Sequence, residues 1–112
     1  MPHIVVEYSA SLAARVDVSA LLKTLHGTLA AAGVDETRIK TRAHPVDHVI
    51  VGGGKPGMVH VVLSLLKGRD IPTRKAYGKA LYDALHAAVD PAAPGCALTL
   101  EVREMEPETY FL

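Results

Sequence analysis

Apolar and polar positions along this chain follow two periods, and each period occurs twice. After Met1-Pro2-His3, the run Ile4-Val5-Val6 is rich in β-branched residues and reads as a strand reaching Tyr8. From Asp17 the period lengthens. Val18, Leu21, Leu22, Leu25 and Leu29 recur at three and four, predicting a helix capped by Asp17 or Ser19 and closed by Gly33. Alternation resumes over Arg38–Val46, where Ile39, Thr41 and Ala43 oppose Lys40, Arg42 and His44. Val49–Val51 and Met58–Leu66 flank a glycine-rich turn, Gly52-Gly53-Gly54-Lys55-Pro56-Gly57. A second helix starts after Asp70, tolerates Pro72 in its first turn and carries the stripe Tyr77, Ala80, Leu81, Ala84, Leu85 and Ala88. Pro91 and Pro94-Gly95 end it, and Ala97–Glu104 is the last long strand. The tail Glu106–Leu112 is short and available as an edge strand for a neighbour.

Strand, helix, strand, repeated once, predicts an α/β (α+β) domain spanning residues 1–112. Each helix is long enough for a right-handed crossover, so residues 2–47 and 58–105 form two βαβ units with parallel strands. Together they predict one four-stranded sheet with both helices on one face. The bare face then needs a cover, and a partner subunit is the simplest one.

Composition narrows the function classes. Lys plus Arg and Asp plus Glu balance at 12 each, leaving no overall field to attract nucleic acid. Four Tyr and one Phe are also few for base stacking. No apolar run is long enough for a membrane span, and no secretion signal opens the chain. The single Cys96 excludes an internal disulfide and fits a reducing cytoplasm. A hydrophobic content of 49% is high for a small monomer and points to an oligomer.

The chemistry-bearing feature is Pro2. Methionine is usually trimmed before a small residue, and the ring nitrogen of Pro2 is then a secondary amine at the chain terminus. Burial or a nearby cation lowers the pKa of such an amine, making it a general base near neutral pH. Met-Pro by itself is a common start with no chemistry. His44, Asp47, His48 and His60 raise a metal reading, but Pro45 interrupts the spacing and no cysteine joins them, so no metal is expected. Lys55 precedes Pro56 rather than Ser or Thr, so the glycine run is a turn and not a phosphate loop. Cys96 has no neighbouring histidine to activate it.

The segments Met1-Pro2-His3-Ile4-Val5-Val6-Glu7-Tyr8-Ser9, Thr28–Gly33, Ile39–Asp47, Val59-His60-Val61 and Leu66-Lys67-Gly68-Arg69 occur in an order that resembles the tautomerase superfamily. Within it they most resemble the 5-carboxymethyl-2-hydroxymuconate Δ-isomerases. The resemblance spans nearly the whole chain, and its opening is the specific part. It implies a four-stranded mixed sheet, a homotrimer and a cofactor-free isomerase acting on a small unsaturated carboxylic acid. It also implies Pro2 as base and two cations holding substrate carboxylates. Arg69 matches one of them. The other falls on Lys40, where relatives carry Arg; Arg42, two residues on and on the same strand face, is the alternative if the strand shifts. Lysine offers a point charge without the bidentate fork, which leaves the substrate open. Alternatives are a decarboxylase or dehalogenase of the same superfamily, marked by an acid near Pro2 (Glu7 and Asp47 are present, but neither matches such a position), and a non-enzymatic oligomeric binding protein. Tyr110 and Phe111 are expected to seal the oligomer.

Overall fold

The fold grows outward from its first strand, β1 (His3–Ser9), whose side chains alternate between accessible and buried over His3–Glu7 in the computed structural model, describing residues 1–112. Ile4 and Val6 are fully buried under the helices, whereas His3, Val5 and Glu7 face the other way. Helix α1 (Val18–Ala31) begins where the Asp17 carboxylate accepts from the Ala20 N–H at 3.0 Å, and it buries Leu21, Leu25 and Leu29. Strand β2 (Lys40–Val46) runs parallel to β1, with His3 opposite Lys40 and Val5 opposite Arg42. Strand β3 (Met58–Leu66) runs antiparallel to β1, with His3 opposite Ser64. Helix α2 (Ile71–Val89) starts at Asp70, whose side chain accepts from the Thr73 N–H at 2.9 Å. Strand β4 (Ala97–Met105) closes the order β2-β1-β3-β4, parallel to β3.

Two parallel pairs joined by an antiparallel centre make the sheet mixed, as the resemblance implied. The core lies between this sheet and the two helices. Val59, Val61, Leu63 and Leu65 from β3 meet Leu25 and Leu29 of α1 and Leu81, Leu85 and Val89 of α2, all essentially inaccessible. Each such side chain contributes roughly 1.5–3 kcal/mol relative to exposure. Gly78 lets α2 approach β4, since a Cβ there would lie 2.9 Å from Val102 Cγ2.

One local expectation is corrected. The second strand starts at Lys40, not Arg38, because Asp35 accepts from both the Thr37 N–H (3.1 Å) and the Thr37 hydroxyl (2.8 Å) and folds Glu36–Arg38 into a tight 3-10 turn. The segment Val49–Val51 lies outside any strand, and Ile50 is wholly exposed.

Candidate active site

Strand register decides what surrounds Pro2. Because β2 is parallel to β1, the turn entering β2 lies beside the start of β1. Because β3 is antiparallel, its exit lies there too. Pro2 is buried at this junction, and its carbonyl accepts from the Lys40 N–H at 3.0 Å. The resulting cavity of about 240 Å3 is lined by Met1, Pro2, Val34, Asp35, Arg38, Leu66 and Arg69.

Three chain segments thus meet around the chain start, and each presents a different property. Val34 and Leu66 supply apolar wall. Arg69 enters through the β3–α2 connection, where Gly68 has φ of +134°, a conformation that L side chains rarely adopt. Its guanidinium lies 5.8 Å from the centre of the Tyr77 ring, and its carbonyl accepts from Arg74 Nε at 3.3 Å. Arg38 enters through the Glu36–Arg38 turn, tethered only by an Asp35 contact of 3.5 Å between two largely exposed side chains.

This setting disfavours a charged amine. Burial, and then the positive charges of Arg69, Arg38 and Lys40, pull the terminal amine of Met1 below the ordinary α-amino value of 8.0. The one carboxyl on the wall, Asp35, is held below the usual carboxylate range by the Thr37 hydroxyl and backbone N–H, with a smaller contribution from Arg38. It is an ionised acceptor already engaged by its own turn, which leaves it poorly placed to activate water.

Pro2, Arg69 and the apolar wall are therefore brought together, whereas Lys40 and Arg42 are not part of this wall. Both alternate with the buried side of β2 and lie on the sheet face away from the helices, with His3 and Val5 as their neighbours on β1. Lys40 still acts on the amine through its charge. Arg42 donates to His3 Nδ1 at 3.0 Å. Guanidinium has no acceptor, so Nδ1 accepts and the His3 proton sits on Nε2, donating to the Tyr110 hydroxyl at 2.7 Å. Burial first, then Arg42 and Lys40, lower the His3 pKa and favour this neutral form. Tyr110 is consequently folded onto its own sheet, while Phe111 beyond it is 89% exposed. Glu7 faces His44 and His60, well along β1 from Pro2, and Asp47 borders a separate cavity with Ser9 and Lys55.

Arg38 and Asp35 were missed from sequence. The signal was present as Asp35-Glu36-Thr37, an Asx-type turn opener that shifts Arg38 out of the strand.

The chain is similar to known proteins over nearly its whole length. Residues 2–111 match the profile of the 5-carboxymethyl-2-hydroxymuconate isomerase family. The chain is 30% identical over 116 residues to the 5-carboxymethyl-2-hydroxymuconate Delta-isomerase of Escherichia coli, covering 99% of this chain and 92% of that protein. The crystal structure of a 5-carboxymethyl-2-hydroxymuconate isomerase from Deinococcus radiodurans R1 superposes with a TM-score of 0.85 at 26% identity, over 99% of this chain and 87% of the other. A fused 4-OT symmetric trimer shares the fold with a TM-score of 0.78 at 18% identity, over 98% of this chain and 92% of the other.

Proposed function

Since the chain belongs to the 5-carboxymethyl-2-hydroxymuconate isomerase family and is an isomerase, we propose that its substrate is an unsaturated 2-hydroxy acid with two or three carboxylates and that Pro2 is its base. Loss of Met1 frees the ring nitrogen at the cavity. That nitrogen takes the proton of the substrate 2-hydroxyl as the C2 carbonyl forms. The electron pair shifts along the diene, and the same proton returns to the far carbon, giving the 2-oxo-3-ene isomer. One proton moves and no electron is gained or lost, so the step is redox-neutral. Arg69 and Arg38 hold carboxylates and stabilise the dienolate formed midway. Lys40 adds field from the opposite face, and Arg42 holds His3.

The observation that carries this reading is that the chain start lines a partly apolar cavity together with Arg69 and Arg38, whose charges bear on its amine. It predicts the pH dependence. Below its pKa the amine holds its proton and cannot accept another, so kcat/KM falls as pH falls. Pro2 is buried beside the same cations that lower the Met1 amine, so the acidic limb of the trimmed protein is expected below the ordinary α-amino range. A pH–rate profile with 5-carboxymethyl-2-hydroxymuconate checks this, and a limb at or above the ordinary α-amino value contradicts it. The engaged state of Asp35 disfavours the decarboxylase and dehalogenase readings.

We place the enzyme as a homotrimer in the cytoplasm. The sheet face opposite the helices keeps Val5, Val62 and Met105 only half-buried in a single chain, and the similar fused 4-OT is a symmetric trimer. Light scattering is expected to give the mass of three chains, and a monomer mass would contradict the assembly. No helix is long and apolar enough to cross a membrane, and Cys96 is unpaired.

A further inference from the structure

We propose that His26 is a positioning residue for the active site: by bonding Glu36 and Thr41 together it fixes the segment between them and keeps Arg38 at the cavity. The proposal rests on the reading that Arg38 holds a substrate carboxylate. His26 lies on α1, and its two ring nitrogens reach different elements. Nδ1 is 2.7 Å from Thr41 Oγ1 on β2, and Nε2 is 3.0 Å from Glu36 Oε1 in the turn before it. Arg38 lies between the two anchored residues. Its exit is fixed by Ile39, which is buried, and by the main-chain bond from Lys40 to Pro2. Its entry is shaped by the Asp35 bonds to Thr37 and by buried Val34, and Glu36 adds a side-chain tie from this turn to α1. The Arg38–Asp35 contact is a long, exposed pair and contributes little to placing the guanidinium.

The proton inventory of this bracket is determined by its partners. A carboxylate only accepts, so Nε2 carries a hydrogen towards Glu36. A hydroxyl both donates and accepts, so Thr41 donates to a neutral Nδ1 and accepts from a protonated one. Beside this bracket lies a cavity of about 400 Å3 bordered by Leu22, Lys23 and Gly27, and an added Cβ at Gly27 would meet nothing within 4 Å. If the ring is removed, the turn has room to move.

Small misplacement of a binding group is costly in rate, and groups coupled through one network respond non-additively when both are changed. His26→Ala is therefore expected to raise KM about threefold to tenfold for 5-carboxymethyl-2-hydroxymuconate, with a smaller change in kcat. Amide hydrogen exchange should quicken at residues 37–39 and stay unchanged at the centre of β3. His26→Gln, whose amide nitrogen can still donate to Glu36, should recover most of the loss. The decisive arm repeats His26→Ala in an Arg38→Ala background, where no further rise in KM is expected. If Arg38→Ala raises KM and His26→Ala adds its full effect on top, or if His26→Ala alone leaves KM unchanged in the otherwise native protein, the positioning role is overturned and the role of Arg38 stands. If Arg38→Ala leaves KM unchanged, the carboxylate reading fails and takes the inference with it.

Discussion

Replacing Pro2 with alanine is expected to lower kcat/KM by about 10²-fold or more while the protein stays folded. General-base catalysis contributes roughly 10²- to 10⁴-fold. The alanine variant keeps a terminal amine, but a primary one on a chain end free to rotate, so the loss lies towards the lower end of that range. Folding should persist because the fixed contact at this residue is through the main chain. The Pro2 carbonyl accepts from the Lys40 N–H, and alanine retains that carbonyl. Steady-state kinetics alongside far-UV circular dichroism separates the two effects. A folded variant with most of its activity would show that the ring nitrogen is not the base.

Arg69→Ala is expected to cost about 10²- to 10³-fold in kcat/KM, the usual effect of removing one donor aimed at developing negative charge. The loss should divide between the two constants. KM rises because a ground-state carboxylate loses its partner, and kcat falls because the dienolate carries charge that the substrate hydroxyl did not. Arg69→Lys restores charge but not the planar fork and should recover only part of the rate. The structural cost is small. The contact with the half-buried Tyr77 ring contributes about 0.5–2 kcal/mol, and the bond from Arg74 uses the Arg69 carbonyl, which the variant retains. A change of less than about threefold in kcat/KM would place the substrate elsewhere.

The parts of the fold that were legible in the sequence are those set by local chemistry. Asp17 and Asp70 each cap a helix through a single carboxylate contact within three residues, and such contacts leave a direct mark on sequence. The buried alternation of β1 and β3 is equally local. The antiparallel β1–β3 pairing is not, because it joins residues far apart in the chain; only family resemblance indicated a mixed sheet. The same distance hid half of the site. Pro2 and Arg69 stand out by residue type and motif, but Arg38 reaches the cavity only through the parallel β1–β2 register combined with the turn opened by Asp35. Lys40 comes from the family resemblance and Arg42 from sharing its strand face, and within the single chain that face is the one opposite the helices. Pro2 shares its parity with Ile4 and Val6, which face the helices, whereas His3 pairs with Lys40 on the other side.

The central claim is that the free ring nitrogen of Pro2 is the base, and it is tested most directly by leaving every side chain intact and blocking that atom alone. A chain carrying one retained residue ahead of Pro2, verified by intact mass, converts the amine into an amide nitrogen with no basic lone pair. Its kcat/KM for 5-carboxymethyl-2-hydroxymuconate is expected to fall by about 10²-fold or more relative to protein that has lost Met1. Equal activity in the two proteins would contradict the account.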